Sequence, residues 1–207
     1  MQVTIVERPV GDNASPYIIA EVGSNHDGEK ETALQLINEC ASAGANAVKF
    51  QRFTAETIVV DDREAVANPD DSLYQAFLEN ELPAEWLPDL RAAADDAGIE
   101  LLLTPFSVES TAEIAEYVPA FKIASASLSH HKLLRRVAGY GKPIILSTGM
   151  HSGAEIAEAV DVITSAGVDG LILLHCVSDY PTDIDDANVR AVATLRDRFE
   201  VISGYSD

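Results

Sequence analysis

Cysteine and long apolar runs are both scarce in this sequence of 207 residues. The two cysteines, Cys40 and Cys176, form no C-x-x-C pair, which argues against a redox motif or a cysteine-rich metal site. Free cysteine behaves as a small hydrophobic residue, so we expect two buried thiols. No apolar run approaches the roughly 20 residues that a membrane-spanning helix needs. Residues 1–10 lack the charged and apolar regions of a secretory signal, and a cytoplasmic protein is therefore expected.

Basic residues are scarce as well. Fourteen lysines and arginines stand against 34 acidic residues, which gives a formal net charge of −20. A field of that sign repels nucleic acid and anionic membranes, so we expect neither as a partner. The acidic residues are spread along the chain and do not form a tail, a pattern that favours a hydrated surface of the halophilic kind.

Short apolar runs alternate with longer segments of helical periodicity along the chain. The predicted strands are residues 17–22, 47–51, 100–106, 120–125, 143–149, 170–176 and 201–205. The predicted helices are residues 29–43, 84–97, 108–117, 132–139, 153–166 and 185–198. Glycines 44, 98 and 167 follow three of these helices, where a left-handed residue is favoured. Such alternation is typical of a parallel sheet in an α/β protein.

Two segments interrupt this alternation. Residues 54–82 are acidic and are predicted to be an insertion with a short helix at residues 72–79. Residues 1–10, with a turn at residues 11–13, are predicted to form an N-terminal β-hairpin at the bottom of a barrel. An open doubly wound sheet also fits the alternation, but polar residues at most strand ends favour a parallel (β/α) TIM-type barrel. Seven of its eight strands are present, and we treat residues 1–207 as one C-terminally incomplete barrel domain.

Charged and hydroxyl side chains stand at the ends of the predicted strands. Glu21 ends the first strand, and Lys49 and Gln51 are two apart on the second, so they share a face. An ion pair without function would also explain Glu21. Further hydroxyl and lysine residues follow at later strand ends: Thr104, Lys122, Ser125 and Ser147. Together they indicate a ligand that carries phosphate or carboxylate groups.

Further candidates lie at the end of the sixth predicted strand and after the first one. His175 is typical of a hydrogen-bonded core histidine, whereas Tyr180, before Pro181, could present its hydroxyl to a substrate. Asn25 and His26 fit the N-cap region of a helix as well as they fit a site. The sequence contains no H-x-x-x-H or C-x-x-C metal spacing, no G-x-G-x-x-G motif and no Walker motif.

Taken together, the short sequence motifs at the predicted strand ends resemble those of the sialic acid synthase family. The resemblance rests on residues 19–28 (IAEVGSNHDG), 47–51 (AVKFQ), 104–106 (TPF), 121–125 (FKIAS), 145–150 (ILSTGM), 174–178 (LHCVS), 180–182 (YPT) and 204–207 (GYSD). It implies condensation of phosphoenolpyruvate (PEP) with N-acetylmannosamine or a related amino sugar. It further implies that Glu21 is the catalytic carboxylate and Gln51 a residue on the sugar side. The positions that match PEP contacts are Lys49, Thr104, Lys122, Ser125, Ser147 and Tyr180, with Ser206 at the mouth.

The sequence departs from the family pattern in three ways. The family uses a divalent metal, Mn²⁺ or Mg²⁺, but the histidines that match its ligands are expected beyond Asp207, so no metal ligand is assigned here. The antifreeze-like domain that reaches across a homodimer in the family is likewise outside this chain, although a homodimer is still expected. Finally, the position after Ala126, often acidic in sialic acid synthases, is Ser127, which leaves the acceptor sugar open.

Two other functions stay open at this point. A Schiff-base aldolase would use Lys122 as its nucleophile. Alternatively, a barrel that lacks its last strand and both metal ligands would bind a phosphorylated ligand without turnover.

Overall fold

The structure is a computed structural model that describes residues 1–168 and 170–206. Contacts within the chain divide it into two units: residues 17–118 form one, and residues 1–16 with the described residues from 119 onward form the other.

The unit of residues 17–118 contains three parallel strands in sequence order, each followed by helical structure. Its elements are β3 (Ile19–Gly23), α1 (Lys30–Ser42), β4 (Ala47–Arg52), α2 (Ala55–Ile58), α3 (Leu73–Glu79), α4 (Leu87–Ala97), β5 (Glu100–Pro105) and α5 (Val108–Ile114). Apolar side chains of β4 and β5, such as Phe50 and Leu102, are fully buried, and α1 packs against α4. Gly98 ends α4 in the left-handed conformation, as its place in the sequence predicts.

The predicted insertion at residues 54–82 is confirmed as a separate run of short helices. Ser72 caps α3 by accepting a hydrogen bond from the Gln75 N–H, so the predicted helix at residues 72–79 is also confirmed. The helix α2 and a single 3₁₀ turn at Pro69–Asp71 were not predicted. The ring of Phe77 on α3 contacts that of Phe53 edge-on, with 5.4 Å between the ring centroids. This contact packs the insertion against the end of β4.

The other unit contains four parallel strands, again in sequence order. Its elements are the hairpin strands β1 (Gln2–Ile5) and β2 (Arg8–Gly11), followed by β6 (Phe121–Ile123), α6 (His131–Ala138), β7 (Ile144–Ser147), α7 (Gly153–Thr164), β8 (Leu171–His175), α8 (Arg190–Phe199) and β9 (Ile202–Tyr205). Ser152 and Glu155 form a capping box that fixes the start of α7. The predicted start of the last helix at residue 185 is wrong, because Asp183 accepts a hydrogen bond from the Asp185 N–H and holds a turn there.

The N-terminal hairpin is confirmed. A turn is also present after Gly11, where the Ala14 N–H donates to the Gly11 carbonyl at 3.2 Å, but it follows the hairpin and does not connect its strands. The chain reverses at residues 6–7, where Val6 has a φ of 55°. Gly11 instead lies against Ile202, the first residue of β9. The hairpin therefore packs at the amino end of β9, the end at which it was expected.

The predicted fold class is confirmed. Within the described residues, seven parallel strands alternate with helices, and an antiparallel hairpin precedes them. No helix of this part of the chain is long and apolar enough to cross a membrane.

Candidate active site

Glu21, in the middle of β3, and Lys49, in the middle of β4, form an ion pair. The Lys49 ammonium lies 2.5 Å from the Glu21 carboxylate and donates a hydrogen bond to the Thr104 hydroxyl at 3.1 Å. Glu21 and Lys49 are direct partners in the parallel register, whereas Thr104 stands on β5, two residues farther along. Three of the predicted site residues are thus brought together by neighbouring strands.

The two charges of this pair have different environments. The Lys49 side chain is 7% exposed, whereas that of Glu21 is 47% exposed. Burial lowers the pKa of the Lys49 ammonium, and the Glu21 carboxylate opposes that shift by favouring the charged form. The pair therefore presents a half-exposed carboxylate, suited to proton transfer, beside a desolvated cation that is suited to an anion.

Gln51 belongs to the same group through Gly23. Gly23 has a φ of 60°, and a methyl group built on its Cα would lie 3.2 Å from Glu21 Oε1 and 3.4 Å from Gln51 Nε2. The strand register also shifts between Glu21 and Gly23. The glycine therefore allows these two polar side chains to approach the backbone closely, a role that the sequence did not reveal.

Lys122 and Ser147 form a second contact, on β6 and β7. The Lys122 ammonium donates to the Ser147 hydroxyl at 2.7 Å and to the Ile123 carbonyl at 3.1 Å. Both Lys122 and Ser147 are buried. A desolvated ammonium at the carboxyl end of parallel strands is a strong electrostatic site for a phosphate or carboxylate.

Ser125 makes a third set of contacts in the same unit. Its hydroxyl oxygen accepts a hydrogen bond from the Gly149 N–H at 3.0 Å and lies 2.9 Å from the Cys176 thiol. The backbone N–H of Gly149, in the turn after β7, is therefore paired with a protein hydroxyl. Cys176 is buried as expected, whereas Cys40 is only partly buried, on α1.

Tyr180 follows β8, and Ser206 follows β9. Tyr180 precedes a cis proline and is 73% exposed. The Ser206 N–H donates to the His175 carbonyl at 2.8 Å, which extends the pairing of β8 and β9. His175 is half-buried, and its Nε2 donates to the Ala187 carbonyl at 3.0 Å, as a core histidine was expected to do. Asp207, the last residue of the predicted GYSD phrase, lies outside the described residues.

His26 is a buried residue whose position the sequence did not predict. It does not cap α1; its Nδ1 accepts a hydrogen bond from the Gly28 N–H at 3.2 Å. The proton of the neutral ring is therefore on Nε2, which has no hydrogen-bond partner within the described ranges. Burial lowers the pKa of His26, and the Trp86 ring meets it edge-on at 5.6 Å.

The part of the chain that the structure describes shows no group of side chains suited to a metal ion. In residues 1–168 and 170–206, no three histidine, cysteine or acidic side chains come together in a group that could hold a metal ion. The divalent metal implied by the resemblance therefore remains an expectation about residues outside the described ranges.

Comparison with known proteins agrees with the resemblance. Residues 36–207 match the NeuB family. The chain is 39% identical to an uncharacterized protein of Methanocaldococcus jannaschii, over the whole chain and 59% of that protein. It is 36% identical to the N,N'-diacetyllegionaminic acid synthase of Legionella pneumophila, over 97% of the chain and 59% of the relative. The crystal structure of N-acetylneuraminic acid synthetase from Leptospira borgpetersenii in complex with citrate superposes with a TM-score of 0.92 at 35% identity, covering all of this chain and 70% of that one.

These similarities place the chain in a class of proteins with a TIM-type (β/α) fold. The chain belongs to the NeuB family. It spans a little under 60% of the length of the curated relatives that it matches.

Proposed function

We propose that this chain is the PEP-binding part of a synthase that condenses PEP with an amino sugar to give a sialic-acid-like nonulosonate and phosphate. The observation that carries the proposal is the buried Lys122 ammonium in contact with the Ser147 hydroxyl at the carboxyl ends of β6 and β7. A buried cation and a hydroxyl donor are the groups that a phosphate or carboxylate requires. The NeuB membership supports PEP as the anion.

The residues then have distinct roles. Lys122, Ser147 and Ser125 hold the anionic groups of PEP, and Glu21 moves a proton beside the Lys49 ammonium. In the reaction, C3 of PEP forms a bond to the sugar aldehyde carbon, water adds its oxygen to C2, and the C2–O bond to phosphate breaks. The fixed positive charges favour the departing phosphate because they need no reorganisation.

The acceptor sugar is the open part of the proposal. The Leptospira synthetase and the Legionella synthase are named for different nonulosonic acids, and both are similar to this chain. Ser127 is buried in the single 3₁₀ turn that follows β6. We propose an N-acetylated amino sugar of the N-acetylmannosamine kind, with Gln51 as a residue that contacts it and a second copy of the chain as partner. Tyr180 is proposed as a contact of PEP.

The test is a binding titration followed by a turnover assay. Purified chain is titrated with PEP, and phosphate release is then measured with PEP, N-acetylmannosamine and a divalent metal salt. Binding of PEP with sugar-dependent release of phosphate supports the synthase. Binding without release supports a PEP-binding part that needs further residues for turnover. Absence of PEP binding would overturn the proposal. Borohydride trapping of a carbonyl substrate on Lys122 would overturn it in favour of the aldolase.

A further inference from the structure

Cys176, directly after β8, is a buried thiol to which the proposed function gives no role. Its Sγ lies 2.9 Å from Ser125 Oγ and 3.6 Å from Ser178 Oγ. Ser125 Oγ in turn accepts the Gly149 N–H at 3.0 Å. The contacts therefore run from Ser178 through the Cys176 thiol to Ser125. Of these three residues, only Ser125 is assigned to PEP by the proposed function.

The side chains of Cys176 and Ser178 pack tightly against the backbone at Gly149. A methyl group built on Gly149 would lie 2.6 Å from Cys176 Sγ and would also collide with Ser178 Oγ. The thiol and the hydroxyl thus pack directly against the glycine. Ser178 itself has a φ of 64°, an uncommon value for serine, and this value fits a loop held by such contacts.

The hydrogen-bond capacity of Ser125 shows what the thiol contributes. A serine hydroxyl has one proton and two acceptor lone pairs, and the Gly149 N–H occupies one of these lone pairs. If the Cys176 S–H donates to the other, both acceptor positions of Ser125 are filled. The Ser125 proton is then left to donate to an anion. Without the thiol, the hydroxyl can rotate and present a lone pair, which repels an anion.

We propose that Cys176 is a positioning residue that turns the Ser125 hydroxyl into a fixed donor for the phosphate or carboxylate of PEP, with Ser178 supporting the thiol. The inference rests on the proposed function. It adds a residue that acts on the ligand only through Ser125. Successive donation from Ser178 to Cys176 to Ser125 strengthens the last donor, because hydrogen bonds in a chain polarise one another.

The experiment is a double-mutant cycle on the full chain. Binding is measured by calorimetric titration with PEP and, separately, with inorganic phosphate. The variants are Cys176→Ala, Cys176→Ser, Ser125→Ala and the combined Ser125→Ala and Cys176→Ala. Cys40→Ala is the matched control, since that thiol lies on α1. Urea unfolding of each variant reports whether it folds.

We expect Cys176→Ala to weaken binding about fivefold, the value of one hydrogen bond. Cys176→Ser, which keeps a donor in place, should bind within about twofold of wild type. In the Ser125→Ala background, loss of the thiol should have no further effect, because the residue through which it acts is gone. A merely structural thiol would weaken binding equally in both backgrounds.

Three results would overturn the positioning role: wild-type affinity in Cys176→Ala, an equal loss in both backgrounds, or failure of Cys176→Ser to restore binding. If Cys176→Ala does not fold, Ser178→Ala replaces it and must weaken phosphate binding only while Ser125 is present. Failure of the wild-type chain to bind PEP refutes the proposed function itself. An unaffected Cys176→Ala variant of a chain that does bind PEP refutes only the role of the thiol.

Discussion

The Lys49 ammonium is almost fully buried, yet the Glu21 carboxylate 2.5 Å away keeps about half of its side chain in water. Burial lowers the pKa of Lys49, while Glu21 favours the charged form. The cost of desolvation therefore falls mainly on the lysine. Removal of either partner consequently has a different effect on folding.

Glu21→Gln should lower the free energy of unfolding by about 1–2 kcal/mol, because it leaves the Lys49 ammonium desolvated without its counter-charge. This loss is smaller than that expected for a fully buried pair, since the Glu21 side chain is partly exposed. Lys49→Met should change it by less than about 1 kcal/mol, since the apolar replacement removes the buried charge and leaves Glu21 partly in water. Urea unfolding curves at pH 7 provide both values. Greater loss of stability in Lys49→Met than in Glu21→Gln would contradict this account.

Lys122→Met should weaken PEP binding about 10- to 100-fold, because it removes a charge-assisted hydrogen-bond donor at the proposed phosphate or carboxylate site. Binding of the amino sugar should change less. Lys132→Met is the matched control, since Lys132 is exposed on α6. Isothermal titration with each ligand measures the two effects, and equal weakening of both would remove Lys122 from the PEP site.

Gly23→Ala should reduce sugar-dependent phosphate release at least about tenfold, because the added methyl group crowds Glu21 and Gln51. It should also lower the free energy of unfolding by about 1 kcal/mol, the cost of a left-handed alanine. Gly44→Ala separates the two effects, since Gly44 has a φ of 88° but no atom lies within 4 Å of an added methyl group among the described residues. Its stability should fall similarly while phosphate release stays normal. Similar phosphate release by the two variants would argue against a positioning role for Gly23.

His26 should make folding sensitive to mild acid. Burial lowers the pKa of this ring below its ordinary value of 6.5, so below that pH the unfolded chain binds more protons than the folded chain. The free energy of unfolding should therefore fall as the pH is lowered from 7.5 through 6.5 toward 5, a range taken from the ordinary histidine pKa. His26→Gln, which does not titrate there, should flatten this dependence, whereas His131→Gln at the start of α6 should retain it. Urea midpoints measured across the range provide the comparison; an unchanged slope in His26→Gln would exclude the histidine as the cause.

The net charge of −20 predicts that added salt stabilises the chain. At about 1 M salt the Debye length shrinks to about 3 Å, so repulsion between separate carboxylates on the surface is screened. The thermal unfolding midpoint should rise between about 0.1 and 1 M NaCl. A fall in the midpoint would count against the halophilic hypothesis.

The sequence predicted the strands well because buried parallel strands are nearly continuous apolar runs. The predicted strand at residues 100–106, for example, differs from β5 by one residue. The start of α8 was missed because aspartate turns compete locally with a helix, and this competition is decided by hydrogen bonds rather than by periodicity.

The candidate site was predictable in part, because some of its residues lie on predicted strands. Lys49 and Thr104 stand at strand positions, where alternation fixes the direction of a side chain, and they meet as the strand register requires. The contact of Ser125 with Cys176 joins residues 51 apart in the chain. No local pattern encodes such a distance, and a cysteine among apolar residues has the same appearance as an ordinary core residue.

The tight packing at Gly149 also affects how related sequences can diverge. Any side chain at position 149 would require smaller groups at positions 176 and 178 together, because both contact the place that its Cβ would take. A single substitution at position 149 is therefore a poor route to change, and we expect a side chain there only where positions 176 and 178 also differ. Variant libraries of this chain should accordingly randomise positions 149, 176 and 178 as one set.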